Sequence, residues 1–90
     1  MSGRTIWKFP LPLSDSVAIA MPERSRVLSV GVQSGGVRQL QLWADVNPGA
    51  AIVIRRFEIR GTGHPLGDVG RFIGTVIDGP FVWHVFEAIS

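Results

Sequence analysis

Between Arg38 and Val46 the apolar residues fall on every second position. Leu40, Leu42, Ala44 and Val46 share one side of an extended chain, and Gln39, Gln41, Trp43 and Asp45 share the other. A repeat of two marks a strand with one buried and one open face, because successive side chains of extended backbone point in opposite directions. No segment shows the three- and four-residue apolar spacing of an amphipathic helix. Glycine and proline instead cut the sequence into pieces too short for ordinary helices, which is the layout of an all-β domain.

The punctuation marks out six or seven strands. Residues 5–9 read as the first, ended by Pro10, Leu11 and Pro12, since proline lacks the amide donor of an interior ladder. Residues 16–21 form a short second strand, and a turn through Pro22, Glu23, Arg24 and Ser25 follows. Residues 26–33 are rich in valine and form a third. Ser34, Gly35 and Gly36 signal a hairpin that returns the chain into residues 38–46. After an Asn47-Pro48-Gly49 turn, residues 51–60 give the longest strand. Val53, Arg55, Phe57 and Ile59 share one face of it, and Ile54, Arg56, Glu58 and Arg60 the other, where Glu58 can offset its arginine neighbours. Residues 66–70 read as a loop and residues 71–77 as a strand. Asp78, Gly79 and Pro80 turn the chain into a last strand over residues 81–87, and this final hairpin is expected to be at least half buried on both faces.

Such strands within 90 residues must close on themselves or form two layers. The expectation is one all-β domain over residues 1–90, a small antiparallel barrel or a two-layer sandwich. Sheet edges invite association unless covered, so a homodimer or higher oligomer built on an edge strand or an apolar face is expected.

The chain has no cysteine, which removes disulfides, thiolate metal sites and cysteine nucleophiles. No apolar run approaches the ~18 residues of a membrane-spanning helix. The start of the chain lacks the apolar stretch of a signal peptide, so a cytoplasmic protein with no membrane partner is expected. The sequence pI is about 10.5, yet the net charge is only +2. Eight arginines and one lysine account for the difference, and they reflect either arginine-rich coding or a liking for planar, two-pronged contacts with carboxylate or phosphate. So small an excess gives weak support for nucleic-acid binding.

The most distinctive local feature is Arg60-Gly61-Thr62-Gly63-His64-Pro65. Two glycines free the backbone to take positive φ and leave amides uncovered, so the segment is either a tight corner or an anion site. Arg56 and Arg60 fall on one strand face with His64 close behind, and Arg71 follows the turn. Together with Gly61, Thr62 and Gly63 they form the best candidate for holding a phosphate or nucleotide. The competing reading is a solvated, salt-bridged strand face and a histidine that only caps its turn. No helix follows the glycines, so this is not a dinucleotide fingerprint. Trp43, among polar neighbours, is the best stacking surface, while Trp7 and Trp83 suit barrel ends or interfaces. His84 shares a face with Val82 and Phe86, which suits a core or interface imidazole. Two histidines without spaced carboxylates do not indicate a metal site, no serine sits in a nucleophile elbow, and no cofactor or catalytic residue is expected.

Several segments together resemble a family of short phage and prophage proteins. They are Ile6-Trp7-Lys8-Phe9-Pro10-Leu11, Met21-Pro22 ahead of Val27-Leu28-Ser29-Val30, Leu42-Trp43-Ala44, the stretch from Phe57 to Pro65, and the stretch from Phe81 to Glu87. The resemblance spans nearly the whole chain, with Gly61-Thr62-Gly63-His64-Pro65 and Trp83-His84-Val85-Phe86-Glu87 its most specific parts. It implies a bacterial-virus source and no assigned function. By analogy with other small phage proteins, the expected role is a non-enzymatic, oligomeric binding protein. It would antagonise a host defence system by binding a host protein or a small anionic nucleotide. The alternatives are a virion structural or assembly protein, and a small hydrolase or lyase using His64 and His84.

Overall fold

A computed structural model describes residues 3–33 and 39–89. Seven strands occur among them: β1 (Thr5–Leu11), β2 (Ser16–Pro22), β3 (Arg26–Gln33), β4 (Gln39–Val46), β5 (Ile52–Gly61), β6 (Arg71–Asp78) and β7 (Phe81–Glu87). They make a three-stranded sheet in the order β1-β4-β3 and a four-stranded sheet in the order β2-β5-β7-β6, with every pairing antiparallel. The all-β expectation holds, and of its two forms the structure is the sandwich; the sheets do not close into a barrel. Among the described residues no helix is long and apolar enough to cross a membrane.

The period of two decides which side chains meet. Leu40, Leu42, Ala44 and Val46 face inward from β4 and are buried. Phe57 and Ile59 face them from β5, Ile19 and Met21 from β2, and Val76 and Val85 from β6 and β7. Leu11 closes the same cluster from the end of β1, two residues beyond the expected stop. Pro10 is tolerated inside β1 because that strand is an edge and makes no ladder on its far side. The Ser34–Gly36 turn expected from sequence lies outside the described residues, while the strands flanking it pair as far as Gln33 with Gln39.

Two bulges shape the other edges. The register slips between Val27 and Ser29 in β3 and between Phe72 and Gly74 in β6. These two edge strands run along each other, and Gly74 lets them approach: a Cβ there would lie 3.0 Å from Val30 Cγ2.

One end of the sandwich is sealed by charge. Arg55 points inward from β5, and its Nε and Nη2 donate to the two oxygens of Glu87 at 2.6 and 2.8 Å. Its Nη1 donates to the Ser25 carbonyl, and Arg71 reaches the same Glu87 carboxylate at 3.3 Å. Such two-pronged, charge-assisted bonding suits a half-buried pair. It holds Glu87 below the usual carboxylate range, first through the Arg55 hydrogen bond and then through the charges of Arg55 and Arg71, against the opposing pull of burial.

The final hairpin departs from expectation on one face. Phe72 and Ile77 of β6 stand exposed on the outer side, because among the described residues no second layer packs over that side of the four-stranded sheet.

Candidate functional site

The corner after β5 is a hydrogen-bonded turn in which the His64 amide donates to the Gly61 carbonyl at 3.0 Å. Gly63 occupies its third position with φ of 88°, the geometry of a type II turn, which asks for glycine there. Thr62 prolongs the β5–β7 pairing, its amide donating to the Val82 carbonyl at 3.2 Å. The His64 ring folds back over Gly61: a Cβ on that glycine would fall 2.8 Å from His64 Nδ1 and 3.3 Å from Trp83 Cζ3. A side chain on Gly61 would have to displace the His64 ring and press on the Trp83 indole, both of which lie over its bare backbone.

His64 lines three adjoining depressions. One, of about 200 Å³, is walled by Leu13, Asp15, Ile59 and Trp83. A second, of about 400 Å³, runs between Arg60 and Leu66. The third, of about 320 Å³, lies beside Phe81 and Val82. Phe81 and Trp83 stack at 5.8 Å in the wall of the third, and Trp83 Nε1 is buried without a hydrogen-bond partner.

The structure does not gather the expected cationic set at this corner. Arg60 Nε donates to the Leu66 carbonyl at 2.9 Å, and its Nη1 to the carbonyls of Asp15 and Ile59 at 2.9 and 3.2 Å. Arg60 thus fastens the corner loop to the β1–β2 connection. Arg56 does lie on the same outer face of β5. Arg71 sits at the far end of β7, opposite Glu87, whereas Gly61 lies opposite Trp83.

His84 faces the outer side of the sheet. Its Nε2 lies 2.8 Å from Thr62 Oγ1 and its Nδ1 3.0 Å from Thr75 Oγ1, so both ring nitrogens are held by hydroxyls. A neutral imidazole satisfies this arrangement by donating to one hydroxyl and accepting from the other. The His64 ring lies over Gly61, on the face that carries Ile59 and Trp83, whereas His84 faces the other way, and none of the three depressions is lined by both histidines. Among the described residues no three His, Asp or Glu side chains come together to hold a metal ion. On the other sheet, Trp43 lies over Gly31, where a Cβ would stand 3.5 Å from Trp43 Cζ3.

Sequence reasoning missed the outer face of the four-stranded sheet. Exposure there reaches 59% at Ile52, 61% at Ile54, 55% at Phe72 and 74% at Ile77. Phe72 packs edge-on against Phe86 at 5.6 Å, and Val82 neighbours Ile77. Arg56 and Glu58 stand between these apolar corners, and Glu58 Oε1 is covered without a hydrogen-bond partner. The signal was present in the run Ala51-Ile52-Val53-Ile54, where both faces of one strand are apolar and only one can enter the core.

The arrangement defines a class: an all-β, two-sheet sandwich with one unprotected outer face and a histidine-bearing corner. The chain belongs to a family described as a domain of unknown function, DUF7352, which it matches over residues 2–90. No curated protein and no solved structure matches it.

Proposed function

We propose that this protein is a non-catalytic binding module that docks on a host protein through the outer face of its four-stranded sheet. In the setting that its phage-like segments suggest, it acts as an antagonist of host defence. The observation that carries the reading is the exposure of Ile52, Ile54, Phe72 and Ile77 on one face, with Arg56 among them. Aromatic side chains and arginine are enriched at protein interfaces, and several large apolar side chains left exposed on one sheet face suit an interaction surface. The anionic-nucleotide version has less support, because Arg60 is already bonded to three carbonyls and Arg71 to Glu87.

The test is expression of the chain in bacteria whose defence system restricts an infecting phage. The native chain is expected to restore plaque formation, and the double variant Phe72→Asp/Ile77→Asp to lose it while its circular dichroism stays native. Each substitution at a docking centre should weaken partner binding by about 30-fold, the effect of an interface hot spot. Failure to restore plaques against a panel of defence systems overturns the antagonist role; restoration by the double variant overturns the face.

A second reading rests on the convergence of three depressions on His64. It places a small anionic ligand at the corner, with the His64 ring as donor. Calorimetry against linear and cyclic nucleotides decides it: heat that His64→Ala removes supports the corner, and silence across the panel ends it.

A further inference from the structure

Exposed strand edges are normally guarded, and three of the four edges here are. β1 carries Lys8 and Pro10, a charge and a missing donor. β3 and β6 are both bulged and lie along each other. β2 has neither device along Ser16-Val17-Ala18-Ile19-Ala20-Met21: no charge, no proline before Pro22, and no bulge in its register with β5. Natural sheets use such devices to prevent edge-to-edge pairing.

The hydrogen-bond phase of β2 shows what its free side offers. The Ile59 amide donates to the Asp15 carbonyl, and the Glu23 amide to the Ala51 carbonyl. In an antiparallel ladder the bonded pairs alternate, so residues 15, 17, 19, 21 and 23 turn their backbone groups to β5. Residues 16, 18, 20 and 22 turn theirs outward. The outward carbonyls at both ends are already occupied: Ser16 accepts from Ser14 Oγ at 3.2 Å, and Pro22 accepts from Ser25 Oγ at 2.6 Å and from the Ser25 amide at 3.2 Å. The middle of the edge is therefore the amide and carbonyl of Ala18 and of Ala20, on two small, exposed residues.

We propose that a second copy of this chain occupies that edge, β2 pairing with β2 in antiparallel fashion about a two-fold axis at Ile19. The strand reads nearly the same in both directions from Ile19: alanine on each side, then Val17 or Met21. Under this axis Ala18 stands opposite Ala20 of the partner subunit, and Ala20 opposite Ala18 of the partner subunit. The four groups of Ala18 and Ala20 in each copy then bond to those of the other, and the outward Ser16 amide faces the carbonyl of the partner subunit's Pro22. No charged side chain of β2 meets its own image, and the alanine methyls let the strands approach to ladder distance. The two four-stranded sheets become one of eight strands. The proposal stands apart from the host-protein reading, because β2 and β6 are opposite edges of the sheet and pairing at β2 leaves Phe72 and Ile77 open.

Sedimentation equilibrium of the native chain at about 100 μM, where a modest interface is populated, should give twice the 9.8 kDa chain mass. Ala18→Pro removes an outward amide without touching the β5 ladder, so its thermal melt should stay native while its mass falls to one chain. Ala20→Lys places like charges on the shared edge and should do the same, and it is the variant read if the proline variant does not fold. Phe72→Asp should remain dimeric. A native chain that sediments at the mass of one copy overturns the proposal. So does a dimer that survives in folded Ala18→Pro or Ala20→Lys, or one that Phe72→Asp dissolves.

Discussion

The two sheets share one core but treat their outer faces differently. On the three-stranded sheet several long side chains have a neighbour: Arg4 pairs with Asp45, Lys8 donates to Gln33, and Trp43 lies over Gly31. Ile6, Trp7 and Leu28 are exposed apolar residues on its strands, and ones scattered singly are ordinary on a protein surface. The four-stranded sheet instead presents isoleucines and a phenylalanine to solvent around Arg56 and Glu58. Stability does not ask for this, since Phe57, Ile59, Val76 and Val85 already fill the inner side. Exposed apolar surface of this kind is what the proposed docking face rests on.

The strongest way to break the contrast is to displace β6, which carries Phe72 and Ile77. Gly70 lies just before it, where the chain crosses the exit of β7. A Cβ there would overlap the Glu87 carbonyl and stand 2.8 Å from the Ile89 nitrogen and 2.9 Å from Ala88 Cα. All three are backbone atoms, which cannot rotate away. Gly70→Ala should therefore lower unfolding free energy by about 3 kcal/mol, the upper end of overpacking effects. It should also weaken partner binding, because the start of β6 must move. Denaturant titration checks the first and a binding isotherm the second. A native-like midpoint would mean that the loop has slack.

The Arg55–Glu87 pair tests the contrast from beneath, since it ties β5 to β7 under the open face. Arg55→Ala leaves a half-buried carboxylate without its main donor and should cost about 2 kcal/mol. The pH dependence has a definite sign. Glu87 is held below its ordinary value of 4.5, so its contribution is complete above that value and fades as pH falls through the lower folded-state value. Acid titration of stability should show a loss below about pH 4.5. Glu87→Gln should flatten that loss, and an unchanged acid limb would remove the pair from the account.

The core was legible because burial here follows a period of two, and that period can be read directly in Leu40, Leu42, Ala44 and Val46 or in Phe57 and Ile59. The end of β1 was not, because Pro10 stops an interior strand and is harmless at an edge, and sequence does not say which strands are edges. The His64 corner was found as a turn, from Gly61 and Gly63. Its chemistry was not, because Arg60 turns to the carbonyls of Asp15, Ile59 and Leu66, and only the fold brings Asp15 there. Arg71 was grouped with the corner by chain proximity, yet the loop before β6 carries it to Glu87. The exposed face was overlooked because alternation assigns residues to two sides without telling which side a second sheet will cover.

The smallest effect belongs to the guarded face. Lys8 is exposed on β1, and its ammonium donates to Gln33. Lys8→Ala should change unfolding free energy by less than about 0.5 kcal/mol, the range of surface positions. It should leave partner affinity where it was, because it sits on the sheet opposite the proposed docking face. It does remove a guard from an edge, so any new behaviour should be association at high concentration. If Lys8→Ala weakened partner binding as much as Phe72→Asp, the two outer faces would not differ in function. The exposed isoleucines would then be incidental surface.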